Sequence, residues 1–151
     1  MKKIFLENEE STKKIGEIIG EKLFNGAILC LNGDLGAGKT TLTKSIAKAL
    51  KIDEDITSPT FTIVNEYTEG SIPLYHFDVY RIGEPDEMYD IGFDEYINSD
   101  GVCIIEWSGI IRDILPKERL EINLNYSGTG REMEIISYGD KYKKIVEEMN
   151  V

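Results

Sequence analysis

The segment from Ala27 to Leu50, AILCLNGDLGAGKTTLTKSIAKAL, constrains this chain more than any other. Ala27 to Leu31 are apolar and suit a short buried strand. Gly33-Asp34-Leu35-Gly36-Ala37-Gly38-Lys39-Thr40 then fits the pattern G-x-x-x-x-G-K-[ST] without substitution. Behind it Leu42, Ile46, Ala49 and Leu50 recur at helical spacing. The glycines admit backbone conformations that a side chain blocks, so successive N–H groups can turn inward around an anion. The positive end of the following helix faces the same point. Lys39 has the reach for the β- and γ-phosphates of a nucleotide, and the Thr40 hydroxyl can coordinate Mg²⁺. Chance alone yields the pattern in very roughly one chain in two hundred of this length. The strand and helix flanks lower that further, so the segment reads as a nucleotide-binding unit.

A length of 151 residues suits one domain, able to bury roughly two-thirds of its unfolded surface. No apolar run approaches the length of a membrane span, and the N-terminus MKKIFLENEE is too polar for a signal peptide. A bacterial-type cytoplasmic protein is the expectation. Cys30 and Cys103 each fall inside an apolar run, which favours core packing over a disulfide or a metal site. Acidic residues outnumber basic ones by 28 to 17. That balance argues against independent nucleic-acid binding, which needs clustered Lys and Arg.

Along the chain, Ile4 to Leu6 read as a short strand, with Ser11 as the N-cap of a helix striped by Ile15, Ile18, Ile19 and Leu23. Phe61 to Tyr67 and Ile72 to Tyr80 read as an antiparallel pair. Short helical turns are expected around Asp86 to Tyr89 and Asp94 to Ile97. Val102 to Ile105 form an uninterrupted apolar run, as in a strand covered on both faces. Leu120 to Tyr126 and Met133 to Tyr138 read as a second antiparallel pair, closed by an amphipathic helix over Tyr142 to Met149. The fold class is therefore α/β, a P-loop NTPase-like three-layer fold with a mixed, partly antiparallel central sheet.

Two polar features stand inside these strands. His76 and Asp78 share one face of theirs, by the period of two. A solvated strand face would look the same, and the residues alone favour that reading two to one. Glu106 sits at the carboxyl end of the Val102–Ile105 run, where phosphate-loop enzymes place an acidic residue that helps hold Mg²⁺. Beside an intact phosphate loop, that role outweighs a strand-ending charge by about three to one.

Four segments in order, GDLGAGKTT (Gly33 to Thr41), SPTF (Ser58 to Phe61), HFDVYR (His76 to Arg81) and IEW (Ile105 to Trp107), resemble the TsaE family. These are small bacterial ATPases used in making threonylcarbamoyladenosine on tRNA. The resemblance covers nearly the whole chain and moves His76 and Asp78 to the functional reading. It implies ATP and Mg²⁺ as cofactors, with Gly36, Ala37, Gly38, Lys39, Thr40 and Thr41 gripping the phosphates. It implies that Thr40 and Glu106 hold Mg²⁺ and that Asp78 acts in hydrolysis by orienting water or a metal-bound water. It further implies that Thr60 senses the γ-phosphate, that Trp107 and Arg131 approach the nucleotide, and that Glu10 lies beside the adenine. The implied partners are a TsaB–TsaD-like complex, with tRNA met only through that complex and no membrane contact.

Three alternatives remain in view. A GTPase would be expected to carry N-K-x-D, which is absent. A small-molecule kinase would carry a lid of clustered arginines, whereas Arg81, Arg112, Arg119 and Arg131 are dispersed. A nucleotide-dependent binding module with incidental hydrolysis is the third.

Overall fold

The apolar runs become the strands of one mixed sheet in the computed structural model, which describes residues 1–151. They are β1 (Lys2–Leu6), β2 (Ile28–Gly33), β3 (Val64–Tyr67), β4 (Leu74–Asp78), β5 (Val102–Glu106), β6 (Arg119–Ser127) and β7 (Gly130–Tyr138). Their spatial order is β1-β7-β6-β2-β5-β4-β3. The central four, β6, β2, β5 and β4, run parallel, while β1–β7–β6 and β3–β4 are antiparallel. This is the α/β arrangement of the P-loop NTPases, with the antiparallel pairs added at the two sides of a parallel centre.

Each face of the sheet is covered, because the central strands carry apolar groups on both sides. Leu29, Leu31 and Ile104 face a larger core completed by α1 (Glu9–Lys22), α2 (Lys39–Ala49) and α5 (Asp140–Glu148). Ile28, Cys30, Cys103 and Ile105 face a smaller core closed by α3 (Glu87–Asp90), α4 (Phe93–Ile97) and a 3₁₀ helix over Ser108–Ile114. Phe77 and Phe93 meet edge-to-face in that core, 5.5 Å apart. Burial pushes the Cys30 and Cys103 thiols up to about 12, so both are inert packing groups at neutral pH.

Two local expectations are corrected. Asn8, not Ser11, caps α1: its Oδ1 accepts the Ser11 N–H at 3.0 Å, which places Ser11 inside the first turn. Phe61 to Ile63 do not extend β3. The Ile63 N–H instead donates to the Pro59 carbonyl at 2.8 Å, and Ile63 takes a left-handed φ of 70°. That conformation is uncommon for a β-branched residue and breaks the strand before Val64. The segment Thr57–Thr62 is pinned from below by Asn65, whose amide donates to the Thr57 carbonyl and whose Oδ1 accepts from Thr62.

α1 lies against α2 at close range because Gly16 and Gly20 face Ser45 and Ala49. A methyl group placed at Gly20 would come 2.6 Å from Ala49 Cβ and 3.0 Å from the Ile46 carbonyl oxygen. Backbone lies in the way, so neither helix can yield by turning a side chain. Gly20→Leu should therefore lower stability by about 1–3 kcal/mol, as overpacked cores do, read as a reduced urea midpoint.

Candidate functional site

β2 ends at Gly33 and α2 begins at Lys39, and the residues between form the phosphate loop. A Cβ at Gly33 would lie 2.6 Å from the Leu124 carbonyl oxygen, so β6 leaves no room for a side chain there. Gly38 precedes α2 with φ 109°, a value open to glycine and strained for other residues. Lys39 is the first residue of α2 and is almost wholly buried. Its ammonium donates to the Gly33 carbonyl at 2.6 Å and lies 3.8 Å from the centre of the Trp107 ring. Burial lowers its proton affinity from the ordinary lysine value, while Glu106, Asp78 and Asp34 pull the other way.

The carboxylates arrive from neighbouring strands. Parallel register sets Leu31 of β2 opposite Glu106 of β5, and Glu106 opposite Asp78 of β4. Both carboxylates therefore project from the carboxyl ends of their strands onto the α2 side, and both are buried. Asp78 Oδ1 accepts the Tyr80 N–H at 3.0 Å, leaving Oδ2 available. Glu106 Oε2 lies 2.6 Å from His76 Nε2.

Two cavities open on the loop and share Gly36, Gly38 and Thr41. One, of about 270 Å³, is bounded by Lys39, Thr40, Ser58, Thr60, Asp78, Glu106 and Trp107. The other, of about 220 Å³, lies between the start of α1 (Asn8, Glu9, Thr12) and the β6–β7 hairpin (Gly130, Arg131). Ligands of open α/β sheets bind at such a place, beyond the carboxyl ends of strands whose connections diverge.

The family model described as "Threonylcarbamoyl adenosine biosynthesis protein TsaE" matches residues 6–133. The chain belongs to the TsaE family. It is 45% identical to the tRNA threonylcarbamoyladenosine biosynthesis protein TsaE of Bacillus subtilis over 95% of this chain and 90% of that one. It is 39% identical to the protein of the same name from Haemophilus influenzae, over 89% of this chain and 85% of the other. The crystal structure of Bacillus subtilis YdiB superposes with a TM-score of 0.86 at 40% identity, covering 97% of this chain and 92% of that one.

Of the residues singled out in this TsaE-family sequence, Leu35, Gly36, Gly38, Lys39, Thr40, Thr41, Thr60, Asp78, Glu106 and Trp107 line one cavity. Ala37 and Arg131 belong to the other. Gly33 and Asp34 lie in the loop behind them; Asp34 closes its first turn by accepting the Ala37 N–H. Glu10 lines neither cavity: its side chain is largely exposed and pairs with Lys13 at 3.3 Å. The oxygen donors around the larger cavity, Thr40, Asp78 and Glu106, are hard ligands of the kind Mg²⁺ takes. No three His, Cys, Asp or Glu side chains form a metal cage by themselves. A cation shared with phosphates fits that donor set better than one held by protein alone.

Several supporting contacts escape sequence reading because the partners are distant in the chain. Tyr126 donates its hydroxyl to the Leu35 carbonyl at 2.7 Å, and Arg131, stacked on the Tyr126 ring, reaches the Gly36 carbonyl at 3.3 Å. The hairpin thereby braces the outer half of the loop. Asn32 Oδ1 accepts both the N–H and the hydroxyl of Ser108, at 2.9 and 3.1 Å. It fixes the turn that carries Trp107 at a left-handed φ of 62°. The one signal available was a polar residue closing an otherwise apolar strand. Asn32→Ala leaves both Ser108 groups unpaired and should cost about 1–3 kcal/mol, whereas Asn32→Asp keeps the acceptor and should lose less. Chemical denaturation of the two variants checks the order.

Proposed function

We propose that this protein is an ATPase that binds Mg·ATP across the two cavities and uses hydrolysis to support threonylcarbamoyladenosine formation on tRNA. The observation that carries the reading is the convergence of the phosphate loop, Lys39, Asp78 and Glu106 on one cavity. In this reading the loop amides and Lys39 hold the β- and γ-phosphates, and the triphosphate takes the Lys39 ammonium from the Gly33 carbonyl. Thr40 and Glu106 would hold Mg²⁺, which supplies charge neutralisation between phosphate oxygens. Asp78 presents Oδ2 towards the same cavity and orients the attacking water. Thr60, on the Pro59–Ile63 turn, reads the terminal phosphate. The base lies in the second cavity, beside Asn8, Thr12 and Arg131, with Glu10 facing away.

No arginine lines the cavity that holds Lys39, Asp78 and Glu106. Arg81 stacks on Phe61 at 4.5 Å and Arg131 is held on the hairpin side. Turnover by the isolated chain should accordingly be slow, about 10⁻⁴ to 10⁻² s⁻¹ by analogy with unassisted phosphate-loop enzymes. We assign the stimulating partner as a TsaB–TsaD-like complex in the cytoplasm, which also brings the tRNA. The name carried by the relatives supports the pathway, and the formal charge of −11 suits contact with protein better than with RNA.

The test combines calorimetry with reconstituted tRNA modification under multiple-turnover conditions. Lys39→Ala should lose Mg·ATP affinity by at least about tenfold, consistent with removal of a charge-assisted contact, while its thermal melt stays near wild type. Asp78→Asn should bind ATP yet fail to sustain repeated rounds. Absence of Mg·ATP uptake by the folded wild type with its partners present would overturn the nucleotide reading. Repeated rounds by Asp78→Asn would overturn the hydrolytic one.

A further inference from the structure

His76 is the only histidine of the chain and is 1% exposed. It does not line the cavity that holds Asp78 and Glu106. The β4–β5 register nonetheless puts it on their side of the sheet, two residues back from Asp78, with Ile104 opposite. Its Nε2 stands 2.6 Å from Glu106 Oε2, between two groups withdrawn from water. With Glu106 as a carboxylate, whose oxygens only accept, the shared hydrogen belongs to Nε2 and the imidazole donates. The other ring nitrogen, Nδ1, is buried with no partner.

That asymmetry separates a positioning role from plain packing. The neighbours on this sheet face, Leu74 and Ile104, belong to the apolar core. An aliphatic side chain at position 76 would fill the space without burying an unpaired nitrogen, which is unfavourable. What the imidazole contributes, and an aliphatic group cannot, is the Nε2–H aimed at Glu106. It engages Oε2 and leaves Oε1 for the cavity.

We propose that His76 is a positioning residue for a divalent cation bound with nucleotide phosphates: its Nε2–H fixes the Glu106 carboxylate in the orientation that receives the metal. This rests on the phosphate-site reading above. It acts through Glu106 and touches neither phosphate nor cation. Partners of this kind around metal ligands change metal affinity by about 10–100-fold when removed.

Three full-length variants separate the possibilities. The amide nitrogen of His76→Gln can reach the place of Nε2; that of His76→Asn reaches only the place of Nδ1; His76→Leu offers no donor. With Mn²⁺ as the probe, read by electron paramagnetic resonance on the protein–ADP complex, His76→Asn and His76→Leu should weaken metal binding about 10–100-fold. His76→Gln should stay near wild type, and ADP affinity in EDTA should be unchanged in all three. Because the chain has one histidine, its imidazole ¹⁵N signals need no assignment. They should show the hydrogen on Nε2, shift in Glu106→Gln, and shift again when Mg²⁺ is added to the ADP complex.

Unchanged Mn²⁺ affinity in His76→Asn and His76→Leu overturns the proposal. So does an equal loss in all three variants, which would mark a purely structural histidine. Should the variants not fold, the wild-type imidazole decides: a hydrogen on Nδ1 alone, or no response to Mg²⁺, overturns the assignment. If the wild type takes up no ADP at all, the phosphate-site reading falls first and this one with it. ADP uptake with a histidine-insensitive metal site removes only the present inference.

Discussion

Three parallel strands stop side by side, and the chemistry of the molecule is gathered at their ends. Register sets Leu31, Glu106 and Asp78 in one row across β2, β5 and β4. The chain leaving β2 must turn sharply under β6, which only a glycine at position 33 permits, and α2 then starts with Lys39 facing the row. Shifting one of these strands by a single residue would send its carboxylate to the opposite face, into the smaller apolar core. The continuous apolar runs of β2 and β5, buried on both sides, make such a slip costly. The site is thus held by the same burial that forms the sheet.

The site keeps opposite charges close together and away from water. Lys39 is withdrawn from water among three carboxylates and rests meanwhile on a carbonyl and an indole face. A phosphate bound as proposed would therefore exchange partners with this ammonium, and its binding free energy would be the difference between those arrangements, less than a bare lysine–phosphate contact would give. The hairpin brace from Tyr126 and Arg131 and the Asn32–Ser108 staple work in the same direction. They hold loop and turn in place before anything binds, so little ordering is left to be done on binding.

Much of this was legible in the residues themselves. The phosphate loop could be read because its pattern states a backbone requirement, and β5 could be read because four apolar residues in a row suit a doubly covered strand. The edges of elements were harder. Ser11 and Asn8 are both good caps, and only the actual chain direction into α1 chooses Asn8. Phe61 to Ile63 have strong strand propensity, yet the Pro59 carbonyl and the Asp78 N–H capture the two ends of Ile63 and turn it out of the strand. His76 was ambiguous because a period of two shows which residues share a face but not whether that face is wet. Its partner lies 30 residues away on another strand, joined to it only by the parallel register. Tyr126 and Arg131 act on a loop more than 90 positions earlier, and no local pattern carries that.

The sheet's outermost strands have a consequence for how the molecule behaves in a crowded solution. An open strand edge invites a neighbour's backbone to extend the ladder. Here β3 ends one side after only four residues, with Glu66 exposed on it, and β1 ends the other with an exposed lysine at position 3. A foreign strand would find one edge too brief to hold it and the other guarded by a cation. The mixed sheet therefore stops at seven strands with one short edge and one edge where the charge of Lys3 stands beside an exposed Phe5, the kind of charge that discourages edge-to-edge stacking.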